Sequence, residues 1–184
     1  MIDFTFIETL EGNTNSAYVP DPENSQSGVT IGCGFDLGAR SCCELELAFE
    51  PILAKKLLPY AGLQKDQAKE ALLDSPLSLC ETEVSQINQY AKQQAMTKLE
   101  YLWEESHAFL PFDYLPSPCQ TVIASVAFQY GNLSIRTPNF WRQVSRGDWF
   151  GALENLRDFG DMYTTRRNKE ADLLESWLIK GERG

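Results

Sequence analysis

The 184-residue chain carries a single histidine, His107. It sits in Glu104-Glu105-Ser106-His107-Ala108 with no nucleophile motif around it, so neither a Ser-His-Asp nor a Cys-His catalytic set is expected. The five cysteines (Cys33, Cys42, Cys43, Cys80 and Cys119) are odd in number and form no C-x-x-C pair. With one histidine they complete no ordinary zinc set, so the expectation is no metal and no cofactor. They read as reduced, buried thiols of a protein made in a cytosol, with a disulfide formed after export as the alternative. A run of about eighteen apolar residues is also missing, which excludes a membrane-spanning helix, and no membrane insertion is expected. Met1-Ile2-Asp3-Phe4 offers neither a basic stretch nor an apolar core, so no signal peptide is expected. Positive charge is scarce: 16 Lys and Arg stand against 26 Asp and Glu, for a net charge of -10. The deficit lies in residues 1–119, with seven basic against eighteen acidic side chains, while residues 120–184 carry nine against eight. Nucleic acid is therefore not an expected partner, because neutralising phosphates needs clustered Lys and Arg.

What is present is an ordinary globular composition, 43% hydrophobic and 23% charged, long enough for one domain over residues 1–184. Phe4, Ile7 and Leu10 recur at helical spacing in residues 2–10, and Gly12 reads as the terminator of that helix. Residues 12–29 are dense in Gly, Asn, Ser, Pro and Asp and read as a loop, or a turn between short strands. Thr30 to Gly38 (TIGCGFDLG) reads as an extended segment to which another group approaches closely, because glycine recurs at 32, 34 and 38.

From there on the pattern is helical. Helices are expected over 44–58 (broken or started at Pro51), 64–73, 81–105, 119–130, 139–145, 148–159 and 167–180. Residues 110–118, with three prolines, read as a linker. Residues 119–130 (CQTVIASVAFQY) are apolar almost all round, as a central buried helix should be, and Asp148 is placed to cap the helix starting at Trp149. The expected fold class is α+β, mostly α. A small N-terminal lobe with a short β segment, about 1–40, packs on a helical lobe, about 41–184.

Glycoside hydrolysis needs a carboxylic acid on one side of the scissile bond and usually a carboxylate on the other, and an inverting enzyme leaves roughly 6.5–9.5 Å between them for a water. Glu11 has the placement for the acid, at the end of a helix whose apolar face should be buried. Thr30 and Asp36 are an even number of residues apart. If 30–36 is extended they project from one face, with Gly32 and Gly34 leaving a bare floor for a sugar and the two side chains holding a water. The plainer alternatives are a solvated Glu at a helix end and an Asp capping a turn.

These residues also carry a resemblance. Glu11-Gly12, Tyr18 and Gly28-Val29-Thr30-Ile31-Gly32-Cys33-Gly34 resemble the E-G…Y…T-I-G-x-G signature of phage-type lysozymes, glycoside hydrolase family 24. The longer string from Ala17 to Gly38, ending Gly34-Phe35-Asp36-Leu37-Gly38, is more similar to the pesticin-like branch of toxin muramidases. Three later segments agree with the family: Ala127-Phe128-Gln129-Tyr130-Gly131-Asn132, Gly147-Asp148-Trp149…Ala152, and Tyr163 to Ala171 with its Arg166-Arg167 pair. Residues 40–118 have no such match.

The resemblance implies a lysozyme-like fold with Glu11 as general acid and Thr30 positioning the water. The phage pattern has His where this chain has Asp36 and places its second acid in the loop after Tyr18. Asp36 is therefore the second carboxylate by the pesticin-like pattern, and Asp21 (or Glu23) by the phage pattern. Tyr18, Gln129, Arg166 and Arg167 are implied groove residues, with packing or helix capping as their alternative roles. The implied activity is cleavage of the β-1,4 bond between N-acetylmuramic acid and N-acetylglucosamine, with inversion, by an antibacterial toxin, effector or lysis domain. Peptidoglycan glycan strands are then the substrate, and an immunity protein a partner in the producing cell. The implied location is synthesis in the cytoplasm and action on the cell wall, in the periplasm of a target cell, after delivery or lysis. The acidity of residues 1–119 slows encounter with an anionic wall but does not bear on chemistry at the site. Two rivals stay open: a lytic transglycosylase, which needs no water-activating partner, and a non-catalytic peptidoglycan-binding module.

Overall fold

Alternating burial organises the β segment. In the structure, a computed structural model that describes residues 1–20 and 26–181, Val29, Ile31, Phe35 and Leu37 point one way into a core and are at most 2% exposed. Gly28, Thr30, Asp36 and Gly38 occupy the intervening positions and so the opposite face, since strand side chains alternate. The strands are β1 (Thr14–Tyr18), β2 (Thr30–Gly32) and β3 (Phe35–Asp36), antiparallel in the order β1-β2-β3. The segment read as extended from 30 to 38 is thus a hairpin: it reverses at Cys33-Gly34, and Gly32 (φ 65°) and Gly34 (φ 98°) take the left-handed backbone that a tight turn needs. Within residues 12–29, read as loop or short strands, β1 forms. Its outer edge is covered by residues 77–79, through Ala17 N–H to Leu77 O (2.9 Å) and Leu79 N–H to Asn15 O (2.8 Å).

The chain divides into two compact units, residues 11–92 and residues 1–10 with 93–184. The first holds the sheet, α2 (Cys42–Ala48), α3 (Pro51–Leu57), α4 (Lys65–Asp74) and the first half of α5 (Glu81–Glu105). Its starts are chemically marked. Ser41 accepts from Glu44 N–H (3.1 Å) to cap α2, and Pro51 opens α3, where its missing N–H costs nothing. Glu83 accepts from Cys80 N–H (3.1 Å) at the start of α5. The core beneath the sheet joins Val29, Ile31, Phe35 and Leu37 to Leu45, Phe49, Leu53, Leu57, Leu79, Val84 and Ile87. Phe35, Phe49 and Tyr90 meet edge to face, with centroids 5.1–6.1 Å apart.

The second unit is helical: α1 (Phe4–Glu8), the rest of α5, α6 (Ser117–Tyr130), α7 (Leu133–Arg136), α8 (Pro138–Ser145), α9 (Trp149–Arg157) and α10 (Thr164–Gly181). The expected central helix is α6, buried without interruption from Cys119 to Ala127 and stopped at Gly131 (φ 70°). Asp148 caps α9 as expected, accepting from Gly151 N–H at 3.0 Å. Helix α5 contributes to both cores, Val84 and Ile87 to one, Leu99 and Trp103 to the other. Trp103 packs edge to face on Phe112 and Trp141, each 5.5 Å away, and donates to Leu110 O at 2.8 Å. Residues 110–118, read as a linker, instead contain a short 3-10 turn at Phe112–Tyr114 and the first turn of α6.

Helix α1 is shorter than its pattern suggests. It ends at Glu8, and Gly12 is not left-handed, so it is not the terminator. The mostly helical α+β class is the one observed. No described helix is long and apolar enough to cross a membrane. None of the five cysteines is joined in a disulfide, but burial holds for Cys119 alone; Cys42, Cys43 and Cys80 are exposed. Burial pushes the Cys119 thiol up to about 12.

Candidate functional site

Three of the site residues named from sequence line up across the sheet. Tyr18 on β1 pairs with Thr30 on β2, and Thr30 pairs with Asp36 on β3. Directly paired residues share a face, so the three side chains form one row on the side away from the core. The type of pair follows from the ladder. Leu37 N–H donates to Val29 O at 2.8 Å, making Val29–Leu37 a hydrogen-bonded pair. The next pair, Thr30–Asp36, is then of the closer, non-hydrogen-bonded kind, with Cα atoms about 4.5 Å apart. Thr30 and Asp36 are thus neighbours, as expected, but across a hairpin and not along one strand.

The main chain of Gly28 ties the pair together. Thr30 Oγ1 donates to Gly28 O (3.2 Å), while Asp36 Oδ1 accepts from Gly28 N–H (3.0 Å) and from Gly38 N–H (2.8 Å). Gly28 and Gly38 face each other so closely that a Cβ on Gly28 would lie 2.5 Å from Gly38 Cα, and the carbonyl of Leu63 packs against both. Glycine is therefore the only residue these positions accept, and both N–H groups converge on one carboxylate oxygen. Asp36 does cap the 3-10 turn Leu37–Ala39, the plainer role set beside it from sequence. That role occupies Oδ1. Among the described residues no hydrogen bond reaches Oδ2, and the Thr30 oxygen has lone pairs to spare because its proton points at Gly28. Thr30 is 3% exposed and Asp36 half-buried; Tyr18, 44% exposed, flanks them.

Glu11 belongs to the same unit, in the bend after α1 and three residues ahead of β1. It is half-buried, with its Oε1 atom shielded from solvent. The proposed floor at Gly32 is not bare. A Cβ there would overlap the Oδ1 atom of Asn88, on α5, so the group that approaches this backbone is a protein amide. Asn88 was not singled out from sequence, where it is one polar residue among several on a long helix. Asp21 and Glu23 lie outside the described residues.

Gln129, Arg166 and Arg167 lie in the other unit and form a network of their own. Arg167 is 1% exposed; it donates to Asp161 (3.0 Å), Glu170 and Gln129 Oε1, and its guanidinium stacks 4.7 Å from the Phe159 ring centroid. Arg166 donates to Ser125 O (2.8 Å) and to Glu170 (3.2 Å), and Ser125 donates to Glu170 as well. Glu170, wholly buried, has its carboxyl pushed upward by desolvation, against the pull of both arginines and the Ser125 hydroxyl. Desolvation also works on Asp161, but hydrogen bonds from Tyr130, the Tyr163 N–H and Arg167 outweigh it and hold that carboxyl below its ordinary value. Tyr130, desolvated and donating to Asp161 at 2.6 Å, is pushed up to about 12. The guanidinium of Arg167 and the carbonyl oxygen of Gln129 are therefore spent within the protein. These are the contacts that packing, the alternative weighed for them from sequence, requires. Among the described residues no cluster of His, Cys, Asp and Glu could hold a metal.

The family model described as "Pesticin: bacterial toxin homologue of phage lysozyme, C-term" matches residues 1–150. The match spans Glu11, the whole sheet and helices α1 to α8, whereas Arg166 and Arg167 on α10 lie beyond it. No curated protein matches the chain in sequence. The small antiparallel sheet, the mostly helical remainder and the span of the match agree: the chain has a lysozyme-like fold and belongs to the Pesticin family of bacterial toxin homologues of phage lysozyme.

Proposed function

We propose that this chain is a muramidase that hydrolyses the β-1,4 bond between N-acetylmuramic acid and N-acetylglucosamine in peptidoglycan, with inversion. The observation that carries the reading is the close Thr30–Asp36 pair, with one carboxylate oxygen and one hydroxyl lone pair left on the same face of the sheet. A water donating one hydrogen to Thr30 Oγ1 and the other to Asp36 Oδ2 would point its own lone pairs outward, at an anomeric carbon. As it attacks, its proton passes to Asp36, while the protonated carboxyl of Glu11 gives its proton to the leaving glycosidic oxygen. The Tyr18 ring beside the pair gives a sugar an apolar face to lie on. Membership of a family of toxin homologues supports a protein delivered against other bacteria, which acts on their wall and is countered in the producer by an immunity protein.

The test is digestion of purified cell wall, followed by turbidity and by mass spectrometry of the products. Wild type should clear the suspension and leave hydrated N-acetylmuramic acid ends. Glu11→Gln should lower kcat by about 10²–10⁴-fold, the range a general acid supplies. Products ending in 1,6-anhydro sugars would refute hydrolysis in favour of a lytic transglycosylase. A wild type that binds wall without cutting it, equally well as Glu11→Ala, would show a binding module.

A further inference from the structure

Asn88 holds two parts of the candidate site at once. Its Oδ1 atom accepts from Cys33 N–H at 2.9 Å, in the turn that closes the β2–β3 hairpin. Its Nδ2 atom donates to Asn13 Oδ1 at 3.1 Å, in the short link between Glu11 and β1. The orientation of the amide is dictated: a backbone N–H must meet the oxygen, which leaves the NH2 group for Asn13. The same oxygen fills the space above Gly32, where a Cβ would overlap it, and Val84 one turn earlier lines that space too, 3.6 Å from the Cβ position. Gly32, with its left-handed backbone, is thus shaped to admit this one side chain. Asn88 is itself anchored, because the neighbouring residues Val84 and Ile87 of α5 are buried in the core beneath the sheet.

We infer that Asn88 is a positioning residue. It locks the segment bearing Glu11 to the hairpin bearing Thr30 and Asp36, and so sets the geometry of the acid relative to the water-holding pair. This rests on the muramidase reading above. Asn88 touches neither substrate nor water; it acts through Asn13 and Cys33. Neither contact is visible in sequence, since the three residues are 55 and 75 positions apart in the chain.

The inference separates two variants of nearly the same size. Asn88→Leu can neither accept from Cys33 nor donate to Asn13, and a displacement of about 1 Å at the site would lower kcat on purified peptidoglycan by about a hundredfold, with KM unchanged. Asn88→Asp keeps the acceptor for Cys33, and the exposed Asn13 amide can turn to donate to the new carboxylate, so its kcat should stay close to wild type. By the same logic Asn13→Asp alone, facing the NH2 of Asn88, should be near wild type. The double variant Asn13→Asp/Asn88→Asp sets two carboxylates against each other and should lose kcat as Asn88→Leu does, far beyond the product of the two single effects. Retained KM, with a melting temperature that stays above the assay temperature, shows the proteins are folded. Full kcat in Asn88→Leu, or simple additivity in the double variant, would overturn the inference while leaving the muramidase reading intact. A wild type that yields no cleavage products overturns both.

Discussion

Replacing Asp36 separates its structural work from its chemical work, because the two fall on different oxygens. Oδ1 receives the N–H groups of Gly28 and Gly38, both buried, and Oδ2 is the atom assigned to the water. Asp36→Asn retains an amide oxygen that can take the place of Oδ1, so both backbone bonds survive as neutral ones. Charge-assisted bonds contribute about 1.5–3 kcal/mol and neutral ones about 0.5–1.5, so the stability loss should be about 2 kcal/mol for the pair. The NH2 group now faces the water and cannot take its proton, so kcat should fall by about 10²–10⁴-fold. Asp36→Ala removes the acceptor altogether. Two buried N–H groups are then orphaned at about 1–3 kcal/mol each, and the cap of the following 3-10 turn goes with them, for a loss of about 2–6 kcal/mol. Urea unfolding supplies the stabilities, and product release from purified peptidoglycan supplies the rates. The expected pattern is equal loss of activity in both variants with much greater loss of stability in the alanine variant. Full activity in Asp36→Asn would refute the assignment of the second carboxylate, all the more so if Asp21→Asn were inactive. Equal stabilities would refute the account of Gly28 and Gly38.

Two further outcomes follow from the network around α10. Glu170→Ala strands the buried guanidinium of Arg167 without its nearest carboxylate and should destabilise the chain by about 3–5 kcal/mol in urea unfolding, whereas a change below 1 kcal/mol would mean Arg167 is not held as described. Tyr130 has its folded pKa raised to about 12, so its stabilising contribution is complete below the ordinary tyrosine value near 10 and is lost as the pH climbs from there towards 12. Ultraviolet titration of the phenols should show one late-ionising group that Tyr130→Phe removes; an unchanged curve would contradict its burial against Asp161.

Much of this protein could be read locally. The span of α5, the all-apolar α6, the Asp148 cap and the break at Pro51 are short-range consequences of side-chain periodicity and backbone chemistry, and they appear where the pattern places them. Thr30 and Asp36 were also legible, as a pair of the right residue types in a glycine-rich string. Their relation was not. Even spacing suggests one face of one strand, whereas the Gly34 turn folds the string back and makes them cross-strand partners. Parity preserves the shared face in both arrangements, which is why the conclusion survived a wrong path to it. In the same way Gly12 looked like a helix stop although α1 ends earlier, at Glu8.

What only the tertiary structure decided are the contacts between residues far apart in sequence. The approach of Asn88 to Gly32, the convergence of two glycine N–H groups on one oxygen of Asp36, and the enclosure of Arg167 by Asp161, Glu170 and Gln129 leave no periodic trace, because each depends on where whole elements pack. Sequence alone determined most of the helices and the class of fold, since those follow from local propensity, although α7 (Leu133–Arg136) carried too short a pattern to be read. Which polar residues meet, which oxygen each has left to offer, and which are spent holding the protein together followed from packing.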